Sequence, residues 1–214
     1  MRQQTPGRRP IGRGEKVRVA VMAATLAELA ETGYAGLTVE SVAQRAGVHK
    51  TTVYRRWGDR ETLVVDALSE QIAQEIPIPD TGTIESDLVS MARAFAKWAT
   101  SQAGRAMVSA FVSEAMQVPE IADARSRVFQ DRLRRARPVI TRAIDRGELP
   151  ETTDPAEVVK MVVAPLYLRL LVTGEALTDA AADQAARTAL AAARAGALDR
   201  VDDAKNGRAA GRTR

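Results

Sequence analysis

Apolar positions along this chain recur at spacings of three and four rather than two, a pattern that predicts helices throughout and no strand. The first helix is expected over about Glu15 to Thr32, with Val19, Met22, Ala23, Leu26, Leu29 and Ala30 on one face and Gly33 as its stop. The second begins after Thr38, a good N-cap, and sets Val39, Val42, Ala43 and Ala46 one turn apart before Gly47. A third, short helix covers Lys50 to Trp57. Asp59 caps a fourth, which carries Leu63, Ala67, Leu68 and Ile72 until Pro77 and Pro79 break it. Residues 77–83, Pro-Ile-Pro-Asp-Thr-Gly-Thr, suit neither helix nor strand and mark a domain boundary. Beyond them helices are expected over about Ile84 to Ser101, Ala103 to Gln117, Pro119 to Gly147, Pro155 to Gly174 and Asp179 to Ala195. The expectation is an all-α protein of about nine helices, with domains at 15–76 and 84–200 between a basic arm, 1–14, and a tail, 201–214.

Charge sharpens this division. The first sixty residues hold 11 of the 31 Lys and Arg but only 5 of the 27 Asp and Glu, so the net charge of +4 is more than accounted for there. A basic end on a slightly acidic body suits a phosphate-binding module joined to a regulatory domain. With 214 residues, 45% of them hydrophobic, the chain can bury a real core. The absence of cysteine removes disulfide frameworks, thiolate metal sites and cysteine nucleophiles, and a reducing cytoplasm is the expected location. The N-terminus has no apolar stretch of the signal-peptide kind, and the longest apolar run, Met161 to Leu168, is too short to cross a bilayer, so no membrane partner is expected.

Two short helices around a glycine turn, braced by a longer one in front, are the parts of a helix-turn-helix. Ala43 is small where the two must approach, Gly47 permits a left-handed turn, and Val48, Val53 and Trp57 can lock the third helix in place. With Val53 and Trp57 inward, Thr51, Thr52, Tyr54 and Arg55 turn outward, and Lys50 stands at the N-terminal end. Hydroxyls, methyls and a guanidinium are what base edges and phosphates of a major groove accept, although a solvated helix face can carry the same residues.

The order of the residues decides between these readings. From Thr38 to Leu63 the segment TVESVAQRAGVHKTTVYRRWGDRETL resembles the DNA-binding signature of the TetR family. The likeness is strong from Val17 to Leu68 and weaker beyond, although Ala164 to Glu175 looks like a segment recurring in one branch of the family. The resemblance implies a three-helix DNA-binding domain followed by a larger helical domain for ligand binding and dimerisation. It further implies a homodimeric repressor, without cofactor or metal, released from palindromic double-stranded operator DNA by a small-molecule effector. By motif position, Lys50, Thr51, Thr52, Tyr54 and Arg55 become recognition-helix contacts. Thr38 and Arg60 become phosphate contacts, reinforced by backbone amides at helix N-termini. His49 stands where members often carry Ser; it is either a DNA contact or, the preferred reading, a neutral turn residue that caps the third helix less firmly. Arg8, Arg9 and Arg13 of the arm could enter the minor groove, though diffuse attraction is the preferred reading.

In the second domain, Met91, Phe95 and Trp98, then Met107, Phe111 and Met116, form a stripe that reads either as ordinary core or as a ligand pocket. The resemblance places a pocket in this domain, which makes Phe95, Trp98, Phe111, Phe129 and Tyr167 its candidates. Arg169 interrupts an apolar run and should have a carboxylate, a ligand anion or solvent as partner. Arg132, Arg134, Arg135 and Arg137 read together as a solvated face. The last two long helices, by resemblance, should pair with their copies as a four-helix dimer interface. A single histidine, no cysteine and no glycine-rich phosphate loop leave no enzymatic constellation. The alternative is a helical small-molecule-binding or scaffolding protein without specific DNA binding, and the outward Lys50, Thr52, Tyr54 and Arg55 speak against it.

Overall fold

The computed structural model describes residues 13–102, 104–105, 107–108 and 119–200. These form eight α-helices and one π-helical turn, and among them no strand occurs beyond an isolated pairing of Thr153 with Asp199. Most of the arm with Arg8 and Arg9, the tail, and most of the helix expected over 103–117, Phe111 included, lie outside the described residues. The chain groups into two compact units, one from residues 1–71 and 115–128, the other from 72–114 and 129–214.

In the first unit, α1 (Arg13–Gly36) packs on α2 (Val39–Arg45), and α2 packs on α3 (Lys50–Trp57). The start of α4 (Arg60–Glu75) and of α6 (Pro119–Asp145) completes the unit. The inward face of α1 differs from the expected one. Val19 is 53% exposed and Ala23 and Ala30 face solvent, while Val21, Met22, Ala24, Thr25 and Glu28 are buried. Apolar spacing alone misplaced the face because two polar residues lie on it with their needs met. The Thr25 hydroxyl donates to the Val21 carbonyl at 2.8 Å, and Glu28 accepts from Arg45 Nε at 2.6 Å. Gly33, at φ 70 and ψ 179, is non-helical and interrupts α1 where the stop was expected, with a short helical piece continuing to Gly36.

The second unit contains α5 (Ile84–Thr100), the remainder of α6, α7 (Pro155–Leu168) and α8 (Asp179–Arg194), with α5, α7 and α8 packed on one another. The buried face of α8 is almost all alanine (Ala181, Ala182, Ala185, Ala186, Ala189 and Ala193), so neighbouring backbones can approach closely. The single helix expected over 155–174 changes character near its end. Pro165 lies within it, and Arg169 to Thr173 widen into a π turn that Gly174 closes at φ 68.

The proline-rich stretch after α4 is non-helical, as its composition predicts, and it is anchored. Arg132 Nη1 donates to the Ile76 carbonyl and Arg142 Nη2 to the Pro79 carbonyl, each at 2.7 Å. The Thr81 amide and hydroxyl both donate to one oxygen of the fully buried Asp87, also at 2.7 Å.

Candidate functional site

The turn between α2 and α3 is built from backbone bonds that need no side chain. Gly47, at φ 67, donates to the Gln44 carbonyl at 3.2 Å, and Val48 donates to the Ala43 carbonyl at 3.0 Å. Thr38 caps α2: its hydroxyl accepts from the Ser41 amide at 3.0 Å while the Ser41 hydroxyl accepts from the Thr38 amide at 3.3 Å. His49 occupies the N-cap of α3 in extended backbone and makes no side-chain capping bond, in keeping with the weak cap expected there.

Two side chains seat α3. Val53 and Trp57 are buried, and Trp57 Nε1 donates to Asp66 of α4 at 2.9 Å. The helical period then leaves Lys50, Thr51, Tyr54 and Arg55 exposed, with Thr52 half-buried beside them. Lys50 reaches an exposed Glu40 at 3.4 Å, a solvent-screened pair that leaves its charge available. One exposed residue of α3 was missing from the sequence reading. Arg56 donates to the Gly14 carbonyl at 3.4 Å and lies 5.4 Å from the Trp57 ring centre, so it carries positive charge beside the first turn of α1.

At the start of α4, the Asp59 carboxylate accepts from the Thr62 amide at 2.6 Å, a bond that holds its pKa below the ordinary 3.8. The amides of Ser41 and Thr62 are thus already satisfied by Thr38 and Asp59, and the backbone support expected for phosphates at these two helix starts is reduced by that much. Arg60 lies 4.6 Å above the Tyr34 ring and pairs with Glu61 at 3.2 Å, which fixes its guanidinium while leaving it partly open to solvent.

In the second unit the structure brings together three of the sequence-predicted ligand candidates. The Phe95 ring lies 5.8 Å from Trp98 and 4.9 Å, edge to face, from Tyr167. Burial raises the pKa of the Tyr167 hydroxyl, so it remains a protonated donor, and the Trp98 N–H is buried without a partner among the described residues. Phe129, half-buried on α6, has no ring contact with this cluster among the described residues. Arg169 forms an ion pair with Glu175 across the π turn.

The four arginines read as one solvated face do not share one. Arg134 and Arg137 are exposed, and Arg134 and Arg135 pair with Asp131. Arg132 turns inward, because it lies four residues before the fully buried Ala136 on the apolar side of α6.

An exposed basic helix, held on a two-residue pedestal behind a glycine turn and followed by a separate helical unit, defines a helix-turn-helix DNA-binding regulator. Residues 21–67 match the family described as "Bacterial regulatory proteins, tetR family", and residues 78–189 match "Tetracyclin repressor-like, C-terminal domain". The chain belongs to the TetR family of transcriptional regulators, whose members are not enzymes. It is 29% identical over 167 residues to the HTH-type transcriptional regulator YdeS of Bacillus subtilis, covering 78% of this chain and 84% of that one. It is 35% identical over 153 residues to the HTH-type transcriptional regulator AqdR of Rhodococcus erythropolis, covering 72% and 73%. Among solved structures it resembles the TetR family transcription regulator SCO0332 with a TM-score of 0.67 at 29% identity, over 83% of this chain and 98% of that one. No helix among the described residues is long and apolar enough to cross a membrane.

Proposed function

We propose that this protein is a cytoplasmic repressor that holds palindromic operator DNA as a homodimer and releases it when a small-molecule effector occupies its second unit. The observation that carries this reading is α3 itself: Lys50, Thr51, Tyr54 and Arg55 project from a helix whose other face is fixed by Val53 and Trp57. In a major groove these side chains, with Thr52, meet base edges, and Thr38 and Arg60 meet flanking phosphates. Stacking on Tyr34 orients Arg60 before DNA arrives, so less side-chain freedom is lost on binding. His49, exposed at the N-cap, is the peripheral member of the set. DNA binding belongs to residues 15–76, and effector binding and dimerisation to 84–200, joined by 77–83.

A second copy is the natural cover for an apolar stripe along α7 and its π turn. Met161, Leu168, Leu171 and Val172 all face solvent, Val172 at 73% exposure. A palindromic operator asks for two such copies, because its half-sites lie about 34 to 36 Å apart. The cluster of Phe95, Trp98 and Tyr167 supports an effector pocket, in which the unpartnered Trp98 N–H supplies a donor. Phe111, Phe129 and Arg169 are its outlying candidates.

Selection of bound fragments from genomic DNA, followed by fluorescence-anisotropy titration of the recovered fragment, tests the reading. A palindromic fragment bound by a dimer supports it. A protein that sediments as a monomer at micromolar concentration, or that retains no fragment over bulk DNA, overturns it.

A further inference from the structure

Arg132 is a part-buried cation of α6 that has no ion-pair partner among the described residues. Its Nη1 donates to the Ile76 carbonyl at 2.7 Å, while its Nη2 is sealed from solvent with no hydrogen-bond partner. No carboxylate forms an ion pair with it among the described residues. The neighbouring Asp131 is engaged by Arg134 and by Arg135, the latter at 2.5 Å. Arg142, further along α6, makes the contrast: it holds a carbonyl of the same connecting segment but has Asp80 at 3.4 Å as counter-charge. Burial and the nearby Arg135 charge pull the Arg132 pKa down to about 10, against a smaller upward pull from Asp131, so it remains charged at neutral pH and its burial stays unfavourable.

We infer that Arg132 is the receptor for an acid group of the effector, which is a monocarboxylate. A carboxylate accepts bidentately from a guanidinium, and here it would satisfy Nη2 while competing with the Ile76 carbonyl for Nη1. One guanidinium with one vacant nitrogen fits a single negative charge, whereas a phosphate dianion would need further cations. Ile76 follows directly on α4, which is continuous from Arg60 to Glu75, so the group that fixes the last turn of α4 is the group the acid engages. This rests on the effector-released reading above and names the effector's chemical class.

The test uses the full-length protein and a panel of straight-chain and aromatic monocarboxylates, benzoate to decanoate, each beside its uncharged alcohol. Thermal shift without DNA reads binding; anisotropy on the selected operator fragment reads release. The expected result is an acid that raises the melting temperature where its alcohol does not, with Arg132→Met weakening that acid roughly ten- to a hundredfold. Arg132→Met should melt at or above the unmodified protein, because it removes an uncompensated charge, and Arg132→Lys should restore part of the acid response. The inference is overturned if no acid is distinguished from its alcohol, if the acid response survives in Arg132→Met, or if Arg132→Met melts well below the unmodified protein. Failure to bind any genomic fragment would instead sink the repressor reading and leave the thermal-shift result to stand alone.

Discussion

The recognition helix and the second unit use arginine in opposite ways. On α3, Arg55 and Arg56 stand in water at no desolvation penalty, and the buried residues beneath them only fix where they point. On α6, Arg132 is part-buried, and its Nη2 is sealed from solvent with no hydrogen-bond partner among the described residues. A surface that reads a polyanion needs solvated charge available to any approach, whereas a sensor for one small molecule gains selectivity from a charge that only the right partner can neutralise. The first unit should therefore separate stability from binding by residue, and the second should couple them.

The largest effect is expected beneath α3. Trp57→Ala removes the buried indole and its bond to Asp66, and should lower stability by about 3 to 5 kcal/mol in chemical denaturation, with loss of operator binding as the consequence. If the variant binds DNA normally, the pedestal is not what positions the helix. On the exposed side, Tyr54→Ala should weaken operator binding by about 1 to 3 kcal/mol in anisotropy titrations while leaving the denaturation midpoint in place. A parallel fall in stability would blur the separation drawn above. Smaller still, Thr38→Ala should cost about 1 kcal/mol of stability, because it opens the capping box with Ser41. Circular-dichroism melts check this, and a Thr38→Asp variant should recover most of the loss.

The smallest effect falls on the second unit and depends on pH. Glu148 accepts from the Ile84 amide at 2.7 Å and from Arg146, which hold its pKa below the ordinary 4.5. A carboxylate depressed on folding contributes stability that is fully present above pH 4.5 and fades as the pH falls through its folded value. Urea midpoints followed downward from pH 6 should therefore decline less steeply in Glu148→Gln than in the unmodified protein; parallel curves would show that this carboxylate carries none of the acid sensitivity.

The legibility of the chain follows the range of the interactions. Helix positions from α2 to α5 were readable because caps and stops are local: Thr38, Gly47, Gly58, Asp59 and Pro77 act within a few residues of themselves. Most of the outward set on α3 was also readable, since two inward residues four apart fix the rotation of a short helix, although Arg56 was missed and Thr52 is half-buried. The α1 face was misread, and the π turn after Pro165 was missed. In the first case the distant Arg45 makes Glu28 a tolerable interior residue; in the second, the difference lies in a backbone hydrogen-bond pattern that the residue types alone leave open.

By itself, then, the sequence determined the all-helical class, the glycine turn and the polar face of the recognition helix, because each depends on spacing within one or two turns. Tertiary structure alone decided that Arg132 leaves its arginine neighbours to bind the Ile76 carbonyl, that Phe95, Trp98 and Tyr167 meet, and that Arg60 stacks on Tyr34. Each of these brings in at least one residue far along the chain, and a part-buried guanidinium or a ring contact is defined by the groups around it, which only folding assembles.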